Sequence, residues 1–137
     1  MIIKSPMNAL HNVTNPHQGK DKRVLCLCSA GLLRSVRLSQ ILQQNYNYNT
    51  RNAGVADYAL IPVSTALLMW ADEIVCVEQE IYDKLLYDIK NIFNEQDSQL
   101  LAIQAKTIIL NIPDIHNRMD YELGEILKEQ YEQERLT

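Results

Sequence analysis

A short apolar run, followed at once by a loop of small residues and an amphipathic segment, places the tightest constraint on this fold. Residues 24–27 are all apolar, which is typical of a short buried strand. From Cys28 the chain continues through small residues to Arg34 and Ser35, and apolar residues then recur at the period of a helix. The sequence therefore predicts a strand, a tight loop and a helix start within residues 23–42.

The predicted loop has the composition of an anion-binding site. A loop that enters a helix N-terminus directs successive backbone N–H groups into one concavity, where the helix dipole adds positive potential. This field favours the nucleophilic thiolate form of Cys28. Arg34, six positions later, can place two N–H groups on two oxygens of a phosphoryl group, and the Ser35 hydroxyl can hydrogen-bond the sulfur. The pattern predicts attack of Cys28 on phosphorus.

The spacing Cys-x5-Arg-Ser after a hydrophobic strand resembles the phosphate-binding loop of the low-molecular-weight protein tyrosine phosphatase family. Residues 51–54 look like the Ser-Ala-Gly strand end of that family, and residues 70–78 resemble the third-strand region of its small predicted members. The resemblance covers residues 23–131. It implies a cysteine-dependent phosphomonoester hydrolase that acts through a phosphocysteine intermediate on a phosphorylated protein or a small phosphomonoester.

The loop itself would bind the phosphoryl oxygens. Besides Ser35, the residues that we assign to substrate binding are Ser29, Ala30, Gly31, Leu32 and Leu33. Two of these positions differ from the family pattern. Gly31 replaces an asparagine, and Leu33 replaces a second cysteine that protects the nucleophile from oxidation in many members.

The order of predicted elements leads to an α/β fold on independent grounds. Further strands are predicted at residues 50–53, 73–77 and 107–112, with helical segments between them. This alternation implies a single domain with a four-stranded parallel sheet and helices on both faces, as in the low-molecular-weight phosphatases. The residues that directly follow the four strands are Cys28, Gly54, Glu78 and Asp114. They are expected to meet at one edge of the sheet, where ligands bind in such folds.

Hydrolysis of a phosphomonoester also needs an acid for the leaving oxygen, which typically contributes about 10²–10⁴-fold. Asp114 is our candidate, because the resemblance places the family's general acid in the loop after the fourth strand. The family generally has Asp-Pro-aromatic there, whereas this chain has Pro113-Asp114-Ile115. Asp120 is the rival acid, although it also suits the N-cap of a last helix. The other interpretation of Asp114 is a turn residue after proline.

Composition bounds the remaining possibilities. The 137 residues are 47% hydrophobic with a net charge of −4, which predicts one domain at residues 23–137, a flexible extension at residues 1–22, and no attraction for nucleic acid. No apolar run has the length of a membrane span or a signal peptide, so a cytoplasmic protein is expected. The three cysteines lack metal-ligand spacing, which predicts reduced thiols without metal or cofactor. The oligomeric state is left open.

Three other functions remain as alternatives. Arsenate reduction needs resolving cysteines, but Cys76 is expected in a strand core and Cys26 on the opposite strand face from Cys28. A phosphocarrier of the cellobiose-type IIB class has a loop that residues 28–31 also resemble, but it has no need of Arg34 and an acid. The third alternative is a catalytically silent phosphate- or nucleotide-binding module, which the departures at Gly31 and Asp114 favour.

Overall fold

The computed structural model describes residues 17–18, 20–29, 34–59, 61–94, 96–112 and 120–136. The strands are β1 (His17–Gln18), β2 (Arg23–Cys28), β3 (Asn49–Gly54), β4 (Glu73–Cys76) and β5 (Thr107–Ile109). The helices are α1 (Arg34–Tyr46), α2 (Thr65–Trp70), α3 (Gln79–Lys90), α4 (Ser98–Ala105) and α5 (Asp120–Leu136).

The strands form one sheet in the order β1-β3-β2-β4-β5. Strands β2 to β5 are parallel, which confirms the predicted four-stranded parallel sheet. The structure adds β1, in which His17 and Gln18 pair antiparallel with β3. The sequence analysis assigned these two residues to a flexible extension, because a strand this short leaves no hydrophobic period to detect.

Helices cover both faces of the sheet, as predicted. The connection from β2 through α1 to β3 runs across the sheet in the opposite direction to the connection from β3 through α2 to β4. Since such crossovers are right-handed, α1 and α2 lie on opposite faces. Helix α5 packs against α1, and α4 contacts α2 on the other face.

Strand β2 lies at the centre of the core. Its residues 24–27 are fully buried, because helices cover both of its faces and strands flank both of its edges. This explains the continuous apolar run, since a strand that is buried on both faces needs no polar alternation. Cys28 is the last residue of this strand, so the candidate nucleophile stands on the most rigidly packed element of the fold.

A polar cluster around the buried Glu73 holds α5 against the amino end of the sheet. Glu73 in β4 accepts a hydrogen bond of 2.6 Å from the hydroxyl of Tyr131 in α5 and an ion pair of 2.8 Å from Lys22. Burial, together with the hydrogen bond to Glu73, raises the pKa of the Tyr131 hydroxyl. The last helix is therefore docked by a specific carboxylate as well as by its apolar stripe.

Side-chain caps fix the starts of two helices. Helix α2 begins after the N-cap Ser64, whose side chain accepts a hydrogen bond from the Leu67 N–H, and Pro62 before it forms an isolated bridge with Gly54. Helix α4 begins after the N-cap Asp97, whose side chain accepts a hydrogen bond from the Gln99 N–H.

Two of the three thiols are sealed inside the sheet. Burial raises the pKa of the Cys26 thiol to about 12, although the nearby Ser39 hydroxyl lowers it in part. Burial likewise raises the pKa of Cys76 in β4 to about 12. Both thiols therefore remain protonated at neutral pH in the folded protein.

This difference predicts a loss of stability at alkaline pH. Because a thiol in the unfolded chain titrates near 9.0 and the folded thiol near 12, the stabilisation is complete below pH 9.0 and is lost as pH rises toward 12. Urea unfolding across this window should show the free energy of unfolding falling less steeply with pH in Cys76→Ala than in wild type. Tyr87→Phe, at an exposed tyrosine, is the control. Identical slopes for Cys76→Ala and wild type would contradict a neutral buried thiol.

Candidate active site

Cys28 and Ser35 form the centre of the candidate site. The Cys28 thiol donates a hydrogen bond of 3.2 Å to the Ser35 hydroxyl oxygen. Cys28 is 3% exposed at the end of β2, and Ser35 is fully buried in the first turn of α1. The predicted contact between hydroxyl and sulfur is therefore present. Residues 30–33, which complete the predicted loop, and Asp114 lie outside the described residues.

The two cysteines of β2 face the same helix. Cys28 contacts Ser35 of α1, and the Ser39 hydroxyl, one turn further along α1, is near enough to Cys26 to lower its pKa. The expectation that these thiols point to opposite faces is wrong, because side chains alternate along a strand and residues two apart share a face. Cys26 is not expected to react, because burial raises its pKa and keeps the thiol protonated at neutral pH.

The Arg34 side chain extends from the start of α1 across the carboxyl edge of the sheet. Its Nη1 donates a hydrogen bond of 2.9 Å to Glu78 Oε1 and one of 2.6 Å to the Ile112 carbonyl oxygen. The side chain is 4% exposed, so its charge is compensated by protein groups more than by water. The guanidinium is thereby held over the ends of β4 and β5, next to the end of β2 that carries Cys28.

Glu78 is a residue of this edge to which the sequence analysis assigned no role. It occupies the N-cap position of α3, but its side chain makes no capping hydrogen bond and pairs with Arg34 instead. The backbone before it is fixed, because the Val77 N–H donates to the Leu27 carbonyl of β2. The only hint in the sequence was an acidic residue directly after a predicted strand.

The segment after β3 flanks the site on the other side. The N–H groups of Val55 and Ala56 donate to the carbonyl oxygens of Cys28 and Ser29, at 3.0 and 2.9 Å. Tyr58 follows in the same segment and is 75% exposed. The segment therefore carries an exposed aromatic residue two positions after the N–H group that binds Ser29.

The described part of the chain offers no cluster of three or more His, Cys, Asp or Glu side chains that could hold a metal ion. None of the helices in that part is long and apolar enough to cross a membrane. The described groups at the carboxyl edge are instead a thiol, a hydroxyl, a guanidinium and a carboxylate. This set suits nucleophilic chemistry on an oxyanion.

Structural comparison identifies the fold. The tyrosine phosphatase Wzb from Escherichia coli K30, in complex with phosphate, superposes with a TM-score of 0.56 at 17% identity, covering 83% of this chain and 96% of that one. The tyrosine phosphatase AmsI of Erwinia amylovora gives 0.57 at 13% identity, covering 89% and 95%. The YwlE arginine phosphatase, as a mutant with a phosphorylated active-site serine, gives 0.55 at 15% identity, covering 81% and 94%.

No protein-family model and no curated sequence matches this chain. The structural neighbours nevertheless agree with one another, and each is covered over nearly its whole length. The chain therefore has the low-molecular-weight protein tyrosine phosphatase fold, which confirms the fold that the loop motif and the order of elements predicted.

The ion pair predicts how the site responds when Glu78 is changed. Glu78→Gln keeps an oxygen acceptor for Arg34 Nη1 and should bind inorganic phosphate within about threefold of wild type. Glu78→Ala removes the acceptor and should weaken phosphate binding about tenfold or more, as expected for a hydrogen bond to a charged group. Isothermal titration calorimetry measures both.

Glu80→Ala is the matched control, because Glu80 is exposed in the first turn of the same helix. It should leave the affinity for phosphate unchanged. Equal affinity of Glu78→Ala and Glu80→Ala would show that Glu78 does not organise Arg34 for anion binding.

Proposed function

We propose that this protein is a cysteine-dependent phosphomonoester hydrolase that acts through a phosphocysteine intermediate on Cys28, with residues 23–137 as its catalytic domain. The observation that carries the proposal is the pairing of Cys28 with Ser35 beside the buried Arg34 at one edge of the sheet. The fold, shared with cysteine-loop phosphatases, supports it.

In the first step the Cys28 thiolate attacks phosphorus. The sulfur–phosphorus bond forms while the bond to the ester oxygen breaks, and that oxygen takes a proton from Asp114, the proposed general acid. The N–H groups of residues 29–33 and the Arg34 guanidinium bind the three remaining oxygens and stabilise the charge that spreads over them.

In the second step water hydrolyses the phosphocysteine. The Asp114 carboxylate accepts a proton from the water, and the bond between sulfur and phosphorus breaks to return the Cys28 thiolate. The thiol donates to Ser35 in the structure, and the same hydroxyl can donate to the sulfur when it is ionised. Ser35 therefore makes Cys28 a better leaving group, which speeds this step.

Aryl phosphates, including phosphotyrosine on a protein, are the substrates that we propose, with a cytoplasmic setting and no nucleic acid partner. The exposed Tyr58 ring, two residues after the Ala56 N–H that binds Ser29, supports this class, because an aromatic leaving group can stack on such a ring. The neighbours include both tyrosine and arginine phosphatases, so the fold alone does not choose between these substrates.

The alternatives differ in what they require of the thiols. Arsenate reduction needs a second reactive cysteine, whereas burial keeps Cys26 and Cys76 protonated at neutral pH. A silent phosphate-binding module needs only the loop and Arg34. Hydrolase, phosphocarrier and silent binder are the remaining possibilities, and turnover of an ester separates the hydrolase from the other two.

The decisive experiment compares leaving groups. Wild type should hydrolyse phenyl and nitrophenyl phosphates, and Cys28→Ser should hydrolyse neither, because the covalent step needs the thiolate. Asp114→Asn should slow phenyl phosphate about 100-fold or more and nitrophenyl phosphate distinctly less, because only a basic oxyanion needs the proton. Steady-state kinetics with both esters measures this difference.

Asp120→Asn is the control at the rival position. It should preserve the ratio of the two rates, because a helix cap affects stability and not the leaving group. A steep leaving-group dependence in Asp120→Asn would move the acid to that residue. Phosphate binding without turnover in wild type would establish the silent module instead.

A further inference from the structure

One side chain of α5 holds both backbone groups of a single residue at the end of β5. The Gln130 Oε1 accepts a hydrogen bond of 2.6 Å from the Asn111 N–H. Its Nε2 donates one of 2.9 Å to the Asn111 carbonyl oxygen. A carboxamide carries the same acceptor and donor as a peptide group, so Gln130 pairs with Asn111 as a neighbouring strand would.

The pairing occurs where the sheet has no further strand among the described residues. The N–H groups of Leu110 and Ile112 donate to the Cys76 and Val77 carbonyl oxygens, at 2.8 and 2.9 Å. Because backbone groups alternate in direction along an extended chain, those of Asn111 point away from β4. Gln130 therefore provides the hydrogen-bond partners of Asn111, the residue of this stretch whose backbone groups face the open edge of the sheet.

The same pairing fixes the peptide group that precedes Ile112. That group consists of the Asn111 carbonyl and the Ile112 N–H, which are bonded to Gln130 on one side and to Val77 on the other. With this planar peptide held at both ends, only φ and ψ of Ile112 remain to set the direction of the next carbonyl. The next carbonyl is that of Ile112, which accepts the 2.6 Å hydrogen bond from Arg34 Nη1.

We propose that Gln130 is a positioning residue for Arg34, acting through the backbone of Asn111 and Ile112. Gln130 lies on α5, outside the loop that carries Cys28 and Arg34, and nothing in the loop motif points to it. The consequence for binding rests on the proposed function, since it takes Arg34 as the group that binds the phosphoryl oxygens. The positioning itself does not depend on turnover.

The test is Gln130→Met, which keeps the length and helix propensity of the side chain and removes its amide. Gln133→Met is the matched control, because it makes the same substitution at an exposed position of the same helix. In the protein without anion, the heteronuclear NMR signal of the Arg34 side chain should shift or broaden in Gln130→Met and not in Gln133→Met. Arg34→Lys assigns that signal by its disappearance.

Binding and kinetics give the second readout. Gln130→Met should weaken inorganic phosphate binding about three- to tenfold, the range expected for one or two lost neutral hydrogen bonds. It should raise the KM of an aryl phosphate by a similar factor and change kcat less. Gln133→Met should change neither.

A role for Gln130 only in stability predicts a different result. Gln130→Met would then unfold at lower urea concentration, while its Arg34 signal, phosphate affinity and KM match those of Gln133→Met, and this result would overturn the proposal. If the Arg34 signal moves but wild type neither binds phosphate nor hydrolyses esters, the positioning is established and the proposed function fails.

Discussion

The buried charge of Arg34 is the constraint on which the arrangement of this edge depends. A guanidinium that is 4% exposed must be compensated by the protein, because an uncompensated charge in such a place is strongly destabilising. Its compensation comes from Glu78 after β4 and from the Ile112 carbonyl after β5. The arrangement of strands β2, β4 and β5 side by side brings these two partners to Arg34.

Helix α5 forms hydrogen bonds at both ends of the sheet. At the carboxyl edge, polar groups from three strand ends converge on Arg34 and Cys28. At the amino edge, Glu73 of β4 accepts a hydrogen bond from Tyr131 and so docks α5 beside α1. The docked helix then presents Gln130 to Asn111, next to the residue whose carbonyl holds Arg34. Anchoring at one end thus supports geometry at the other.

Local sequence patterns predicted the parts of the fold that depend on residues close in sequence. The apolar run before Cys28 and the helical period after Arg34 identified β2, the helix after it and the hydrogen bond from sulfur to Ser35. The strand and helix alternation then predicted the parallel sheet. These features depend on residues close in sequence, or on a periodicity that burial imposes.

Two features that the sequence did not reveal depend on long-range register. Which carboxylate pairs with Arg34, and which side chain closes the open edge at Asn111, are decided by how distant strands and helices align. The face of Cys26 is a local feature, because residues two apart on a strand share a face. The roles of Asp114 and of residues 30–33 stay predictions, because these residues lie outside the described part of the structure.

The most direct measurement of the central claim is to trap the covalent intermediate. The protein is mixed with an aryl phosphate, quenched in acid within a turnover, digested and analysed by mass spectrometry. The account predicts the added mass of one phosphoryl group on the peptide that contains Cys28, and none on the peptides that contain Cys76 or the tyrosines. Turnover with no phosphorylated Cys28 peptide at any quench time, under conditions that preserve phosphocysteine in a known cysteine phosphatase, would contradict it.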